Sequence, residues 1–376
     1  MSKPDAVAPC YVMVHPGLEE VAAEELAHDF GAEIKKSTLG VVVFRVPEIN
    51  KELLRLKTAE DLFVMAWGTD QLSYRAEDLE KIRRWTDREA DWQNLLRIHH
   101  AIRPKPKGKP TYRLVVQMSG EHGYRRIDAQ KSLAQGLAGK LPASWRHADE
   151  NASVEIWLTI DGATAVCGIR LSDRTMRHRT YKFEHFPASL RPSVAAVMVR
   201  LAEIRPGMIV LDPMCGAGTI LAETWMGQAS RPRDWENLDL ADPQVLASLP
   251  LQVLGGDIDP AHVRMAQANL RRLGPTVLST WDARDLPLPD ASVDRILCNP
   301  PFGKKIGVPD EIAPLYKSTV KEMNRVLRPG GCAVLIVSDV QALRHAVEKV
   351  GWNQKRMVRV RVLGHRASIH VFRKKS

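Results

Sequence analysis

Residues 10–15 form a short apolar run that predicts a strand, and residues 16–30 place Leu18, Val21, Ala22 and Leu26 on one helical face. A strand over 40–46 (GVVVFRV), a helix over 49–56, and a helix end running into a strand over 59–67 follow. This β-α-β-β-α-β rhythm suits a ferredoxin-like unit. Residues 78–102 read as helical, and the Pro- and Lys-rich stretch 103–109 (RPKPKGK) reads as a connector between units. A second small unit has a strand over 112–118 and a helix over 127–140, then strands over 153–160 and 163–169. Asp161-Gly162 joins those last two as a hairpin signal. A basic linker (RTMRHRTYK) opens at residue 174. The expected organisation is a ferredoxin-like unit over 1–109, a second α+β unit over 110–173, a linker over 174–186 and a larger domain over 187–376.

In that last domain the pattern alternates. Strands are expected at 208–211, 252–255, 277–280, 293–298 and 332–337, and helices at 219–226, 260–273, 310–327 and 340–350. Alternating β and α elements predict a doubly wound α/β fold with a parallel sheet, of the Rossmann-like type. The end departs from this, because strands over 356–362 and 367–372 meet at Gly364-His365 and predict an antiparallel hairpin. Residues 228–250 interrupt the rhythm as a polar insertion, either structural or a partner surface.

Composition changes this picture only at a few points. With 44% hydrophobic and 26% charged residues the chain is of globular type, and at 376 residues it exceeds one typical domain. No apolar stretch approaches the roughly 20 residues of a membrane helix, and the N-terminus shows neither a signal-peptide core nor an Arg-rich targeting pattern. The five cysteines are scattered without a CxxC pair, which points to a reducing cytoplasm and away from a zinc cluster. No metal site is expected. The net charge of +10 is uneven: residues 1–186 hold 28 Lys and Arg against 26 Asp and Glu, and residues 187–376 hold 26 against 18. The last 23 residues hold eight cations and no acid. Such placement favours a nucleic-acid partner.

Asn299-Pro300-Pro301-Phe302 carries the most specific chemistry. It follows the apolar run 293–298, so it sits at the carboxyl end of a strand, where open α/β sheets bind ligands. The nitrogen of an aromatic amine is a poor nucleophile because its lone pair is delocalised into the ring. The Asn299 side-chain oxygen and the Pro300 carbonyl can accept from both amine hydrogens and free that lone pair, while Phe302 stacks on the ring. These three are the candidate catalytic residues.

A cofactor site is expected at Asp212 to Thr219 (DPMCGAGT), a strand end, glycine turn and helix start. Gly216 and Gly218 permit close backbone approach, and Cys215, Ala217 and Thr219 complete the turn. The spacing is not G-x-G-x-x-G, and the Asp212 carboxylate would repel a pyrophosphate but bind an ammonium. The pattern therefore favours S-adenosylmethionine. Asp257, with Ile258 after it, ends the next strand and can accept ribose hydroxyls. It follows Gly218 by 39 residues rather than the usual ~20, an excess explained by the insertion. Asp282-Ala283 ends the third strand and can accept an adenine amino group. Asp259 before Pro260 reads as a helix cap rather than a ligand. Asn299 borders this site as well. Cys215 and Cys298 raise a cytosine-C5 nucleophile, which is rejected because one lies in the cofactor turn and the other in a core strand.

DPMCGAGT together with NPPFG resembles the class I amino-methyltransferases, and more narrowly the THUMP-containing tRNA (guanine-N2)-methyltransferases. Residues 186–192 (FPASLRP) match the segment with which that family enters its catalytic domain. The resemblance implies that Ser189 and Leu190 there contact the methionine end of the cofactor, that 110–173 is a THUMP-like RNA-binding unit, and that the substrate is guanosine 6 of a tRNA acceptor stem. A small activating subunit is a further candidate partner, which the sequence itself does not specify. The family varies at the first two motif positions and at the aromatic, so Asn299 and Phe302 do not by themselves separate guanine from adenine. In the mechanism so expected, a flipped guanine stacks on Phe302 and its N2 attacks the methyl group in line. Lys304, Lys305, Arg359, Arg361 and Arg366, with Arg125, Arg126 and Lys131 of the THUMP-like unit, are candidate RNA contacts. Ribosomal RNA guanine-N2 methylation, and an RNA-binding protein with an inactive methyltransferase domain, are the alternatives.

Overall fold

Alternating apolar runs and amphipathic stretches build two sheets, one in each of two units. This computed structural model describes residues 8–103, 108–174, 176–184, 189–227, 244, 251–302, 309–362 and 364–376. The units are Met1–Val14 with Glu19–Met176, and His15–Leu18 with Arg177–Ser376. No helix among the described residues is long and apolar enough to cross a membrane.

The first unit holds β1 (Cys10–Val14), β2 (Glu33–Thr38), β3 (Val41–Arg45), β4 (Ala59–Thr69), β5 (Thr111–Ser119), β6 (Arg146–His147), β7 (Val154–Asp161) and β8 (Thr164–Arg170). All eight share one sheet in the order β2-β3-β1-β4-β8-β7-β5-β6. The two small units expected from the sequence are thus joined by the β4–β8 pairing, Val64 opposite Ile169. Helices α1 (Glu19–Phe30), α2 (Glu77–Arg88), α3 (Trp92–Ile102) and α4 (Arg126–Gly136) belong to this unit. Three local expectations are corrected. Residues 49–56 form only a 3-10 turn over Lys51–Arg55. Residues 59–69 are strand throughout. The expected helix 78–102 is two, because Asp91 caps a new helix by accepting from the Asn94 N–H at 3.1 Å.

The second unit carries β9 (Ile209–Asp212), β10 (Gln252–Asp257), β11 (Thr276–Thr280), β12 (Val293–Cys298), β13 (Leu327–Val337), β14 (Asn353–Val362) and β15 (His365–Arg373). The order is β11-β10-β9-β12-β13-β15-β14, parallel through β13 and antiparallel beyond. Its helices are α5 (Pro192–Leu201), α6 (Thr219–Met226), α7 (Pro260–Leu270), α8 (Pro309–Val326) and α9 (Val340–Val350). This is the expected α/β fold with its C-terminal hairpin. Chain order runs outward from β9 in one direction and from β12 in the other, so the crevice between β9 and β12 is the topological switch point. Ile296 pairs with Leu211 there, which brings the ends at Asp212 and Asn299 side by side.

The stretch expected as a basic linker folds into this unit from Arg177 on. The Arg179 guanidinium lies 3.0 Å from Glu223 on α6, and the Tyr181 hydroxyl donates to the same carboxylate at 2.7 Å. Arg179 is 8% exposed and Glu223 1%. Breaking such a pair from one side costs about 3–5 kcal/mol, so Arg179 is a structural group and not a free cation.

Candidate active site

A cavity of about 550 Å³ opens at the carboxyl ends of β9 to β12. Asp212 closes β9 and is 1% exposed, with its carboxylate accepting from the Met214 N–H at 3.2 Å. Burial pushes this carboxyl well above the usual carboxylate range, the Asp257 charge adds to that, and the Met214 N–H opposes it. The turn that follows is set by two glycines with positive φ, Gly216 at 52° and Gly218 at 77°. A Cβ on Gly218 would lie 3.1 Å from Ala266 and Leu270 of α7, whereas the space beside Gly216 is open. The first glycine therefore leaves room for a ligand, and the second lets α6 start against α7.

Asp257 closes β10 and ties the turn to the next helix. Its Oδ2 accepts from the Gly216 N–H at 3.0 Å, and its Oδ1 accepts from the Asp259 N–H at 3.0 Å and faces His262 Nδ1 at 3.0 Å. Asp259 caps α7 by accepting from the Ala261 N–H at 2.8 Å, as the sequence suggested, and it also lines the cavity. Ile258 between the two acids is 66% exposed. It presents a bare apolar side chain to the cavity. Beyond β11, Asp282 is held by Arg284, whose Nε and Nη2 lie 2.9 and 2.6 Å from Oδ2 and whose N–H donates to Oδ1 at 2.9 Å. That guanidinium holds the Asp282 carboxyl below its ordinary value. The Trp281 indole donates to the Pro213 carbonyl at 3.0 Å, locking this strand end to the glycine turn.

On the other side of the switch point, β12 ends at Cys298 and delivers Asn299. The Asn299 Oδ1 is buried and has no hydrogen-bond partner among the described residues. An unpaired buried acceptor costs about 1–3 kcal/mol, so this oxygen calls for a partner that the described residues do not supply. Pro300 and Pro301 have no N–H, and the Tyr316 hydroxyl of α8 donates to the Pro301 carbonyl at 3.1 Å. Phe302 and Leu315 line the same cavity, as do Val362 and His365 from the tip of the β14–β15 hairpin.

The structure brings together Ser189, Leu190, Asp212, Cys215, Gly216, Ala217, Thr219, Asp257, Ile258, Asp282, Ala283, Asn299, Pro300 and Phe302 around this one cavity. Gly218 stands behind it as the cap of α6. Burial pushes the Cys215 and Cys298 thiols well above their ordinary values, so neither is an activated nucleophile. Lys304, Lys305, residues 186–188 and almost all of the insertion 228–250 lie outside the described residues. Arg359, Arg361 and Arg366 are exposed on the hairpin. Arg125, Arg126 and Lys131 belong to the first unit, where Arg125 pairs with Asp128 at 3.2 Å.

Five participants escaped the sequence reading: Arg284, His262, Tyr316, His365 and Asn269. Asn269 on α7 is 2% exposed and donates to the Ala217 carbonyl at 2.9 Å while accepting from the Phe183 and Glu184 N–H groups at 2.9 Å. It ties the glycine turn to the segment leading into the domain. Only Arg284, two residues after Asp282, had a local signal.

The UPF0020 family model, an RMKL-like methyltransferase domain, matches residues 179–368. The chain belongs to this family. Its methyltransferase domain thus coincides with the second unit and its cavity. The chain is 36% identical over 207 residues to the U6 snRNA (guanine-N2)-methyltransferase THUMPD2 of Mus musculus, a match that covers 54% of the chain and 34% of that relative. It is 28% identical over 345 residues to the tRNA (guanine(6)-N2)-methyltransferase of Thermus thermophilus, covering 89% of the chain and 90% of that relative. The crystal structure of TrmN from Thermus thermophilus superposes with a TM-score of 0.75 at 25% identity, over 97% of the chain and 99% of that structure. The chain spans a third to a half of the mouse relatives it matches.

Proposed function

We propose that this protein is an S-adenosylmethionine-dependent RNA methyltransferase that methylates the N2 of a guanine in tRNA, at guanosine 6 of the acceptor stem. The observation that carries this reading is that Asn299, whose buried Oδ1 has no partner among the described residues, lines the same cavity as the glycine turn at Gly216 and the acids Asp212 and Asp257.

The residues present fit the cofactor. The open space beside Gly216, the exposed Ile258 and the buried Asp212 offer room, an apolar face and a counter-charge. Asp212 would hold the ammonium, Asp257 the ribose hydroxyls, and Ile258, Asp282 and Ala283 the adenine, with Ser189 and Leu190 at the methionine end. When bound, S-adenosylmethionine supplies an electrophilic methyl group. The chain's own part is orientation. Asn299 Oδ1 and the Pro300 carbonyl accept from the two amine hydrogens, which directs the nitrogen lone pair to the side of the cavity where Gly216 and Asp212 lie. Phe302 stacks on the base. Held at reacting distance, the amine gains most of its rate from alignment. The proton lost after methylation is acidic and can leave to water, so no strong base is required.

The tRNA reading is preferred because the Thermus thermophilus relative matches over nearly the full length of both chains. The higher identity to the U6 snRNA enzyme over a shorter span supports a second reading, in which the same site acts on a different RNA. The test is to incubate the protein with methyl-labelled cofactor and separate pools of tRNA, U6 snRNA and ribosomal RNA, then identify nucleosides by mass spectrometry. N2-methylguanosine in tRNA alone supports the first reading. Label in U6 snRNA or ribosomal RNA replaces the substrate, and no label in any pool favours an inactive RNA-binding protein. An accessory subunit would show as transfer that appears only when a second protein is added. A cytoplasmic site of action fits the five cysteines, all free and buried.

A further inference from the structure

The C-terminal hairpin stands taller than the sheet it closes. The last pair between β13 and β15 is Val337 with Ser368, yet β15 begins at His365. Three residues of β15 therefore project past the carboxyl edge, by roughly 10 Å at the usual strand rise. In this projecting part Val362 pairs with His365 and Arg361 pairs with Arg366. Side chains alternate along a strand and cross-strand partners share a face. Val362 and His365 face the cavity, so Arg361 and Arg366 stand together on the opposite face of the tip.

Two arginines directly across a ladder repel each other. Neither side chain has an ion-pair or hydrogen-bond partner among the described residues, and both are exposed. Other arginines of the same unit are engaged: Arg284 with Asp282, Arg325 with Glu322 and Asp290, Arg328 with Asp294, Arg373 with Glu203. No acid occurs from Gln354 to the end of the chain. The described residues offer the pair no counter-charge, whereas an anion between the two forks would turn the repulsion into attraction.

Building on the proposed RNA methyltransferase activity, we propose that Arg361 and Arg366 jointly bind a backbone phosphate of the RNA strand beside the methylated nucleotide. The hairpin tip then lies between phosphate and base: Val362 and His365 wall the base pocket on one side, and the arginine pair holds the strand on the other. The pair positions RNA and leaves the cofactor untouched.

The test uses the full chain and a fluorescently labelled tRNA transcript, with Arg361→Gln, Arg366→Gln, the double variant and Arg366→Lys. Each Gln variant should weaken RNA binding roughly tenfold, and the double variant should lower the slope of log affinity against log salt by about one. Arg366→Lys should recover part of the loss. Cofactor affinity should not change, and the melting temperature should hold or rise, because a like-charge pair has been removed. Binding and salt slope equal to wild type in the double variant would overturn the proposal, as would a melting temperature that falls in step with binding. These outcomes are independent of catalysis. A wild-type protein that binds tRNA but transfers no methyl group would instead count against the proposed activity.

Discussion

Around β9 to β11 each cavity-facing carboxylate already holds a donor: Asp212 the Met214 N–H, Asp257 the Gly216 and Asp259 N–H groups, Asp282 the Arg284 fork. At the end of β12 the Asn299 oxygen holds none among the described residues. The first wall is a frame whose acids are fixed before any ligand arrives, so a ligand adds bonds to rigid groups. The second wall keeps one acceptor buried and, among the described residues, unpaired, followed by two prolines that cannot be anchored by their own N–H groups. On the proposed reading the first wall binds the cofactor and the second orients the amine, since an acceptor already desolvated needs little reorganisation during the reaction.

The comparison breaks first at Asn299. Asn299→Ala should lower kcat by about a thousandfold, the upper range for losing one oriented polar group, while calorimetric cofactor affinity changes less than threefold. Equal losses in both would merge the two walls. Asp212→Asn should weaken cofactor binding by about a hundredfold, since the ammonium loses a buried counter-charge. The same change should stabilise the ligand-free protein at neutral pH. Asp212 holds its proton above the ordinary carboxylate range, so the folded state binds more protons than the unfolded one, and stability falls as pH rises through that interval. Asparagine has no such dependence. Thermal melts of both proteins across pH check the sign. Tyr316→Phe deletes one hydrogen bond to the Pro301 carbonyl and should cut kcat about fivefold, within the worth of one such bond, with cofactor affinity intact. A fall in melting temperature with kcat unchanged would make Tyr316 structural only. The smallest effect belongs to Arg284→Met. The Asp282 carboxyl is held low by Arg284, so its contribution is present above the unfolded value and lost as pH falls through the folded one. The variant should lose less stability on acidification, and its cofactor affinity should shift by about threefold or less.

The same split explains what the sequence reveals. The strand ends at Asp212, Asp257, Asp282 and Asn299 are legible because each lies next to its own apolar run, and glycine or proline marks the turn. Groups acting across elements are not. Tyr316 and Asn269 are single positions on helices, and their role comes from folding α8 and α7 over loops at Pro301 and Ala217. The polar edge strand β2 (EIKKST) carries no apolar alternation and went unseen. The break between α2 and α3 has neither Gly nor Pro, so the helical period runs through it and only the cap at Asp91 marks it. His365 reads as part of a turn until strand register shows that the hairpin overshoots the sheet.

The most direct measurement asks whether Asn299 reads the exocyclic amine. Affinity for tRNA with guanosine at the target position would be compared with affinity for tRNA carrying inosine there, a base that lacks only that amine. Wild type should prefer guanosine, and Asn299→Ala should bind the two alike, a coupling that isolates this contact. An undiminished preference in the variant would place the amine elsewhere and contradict the account.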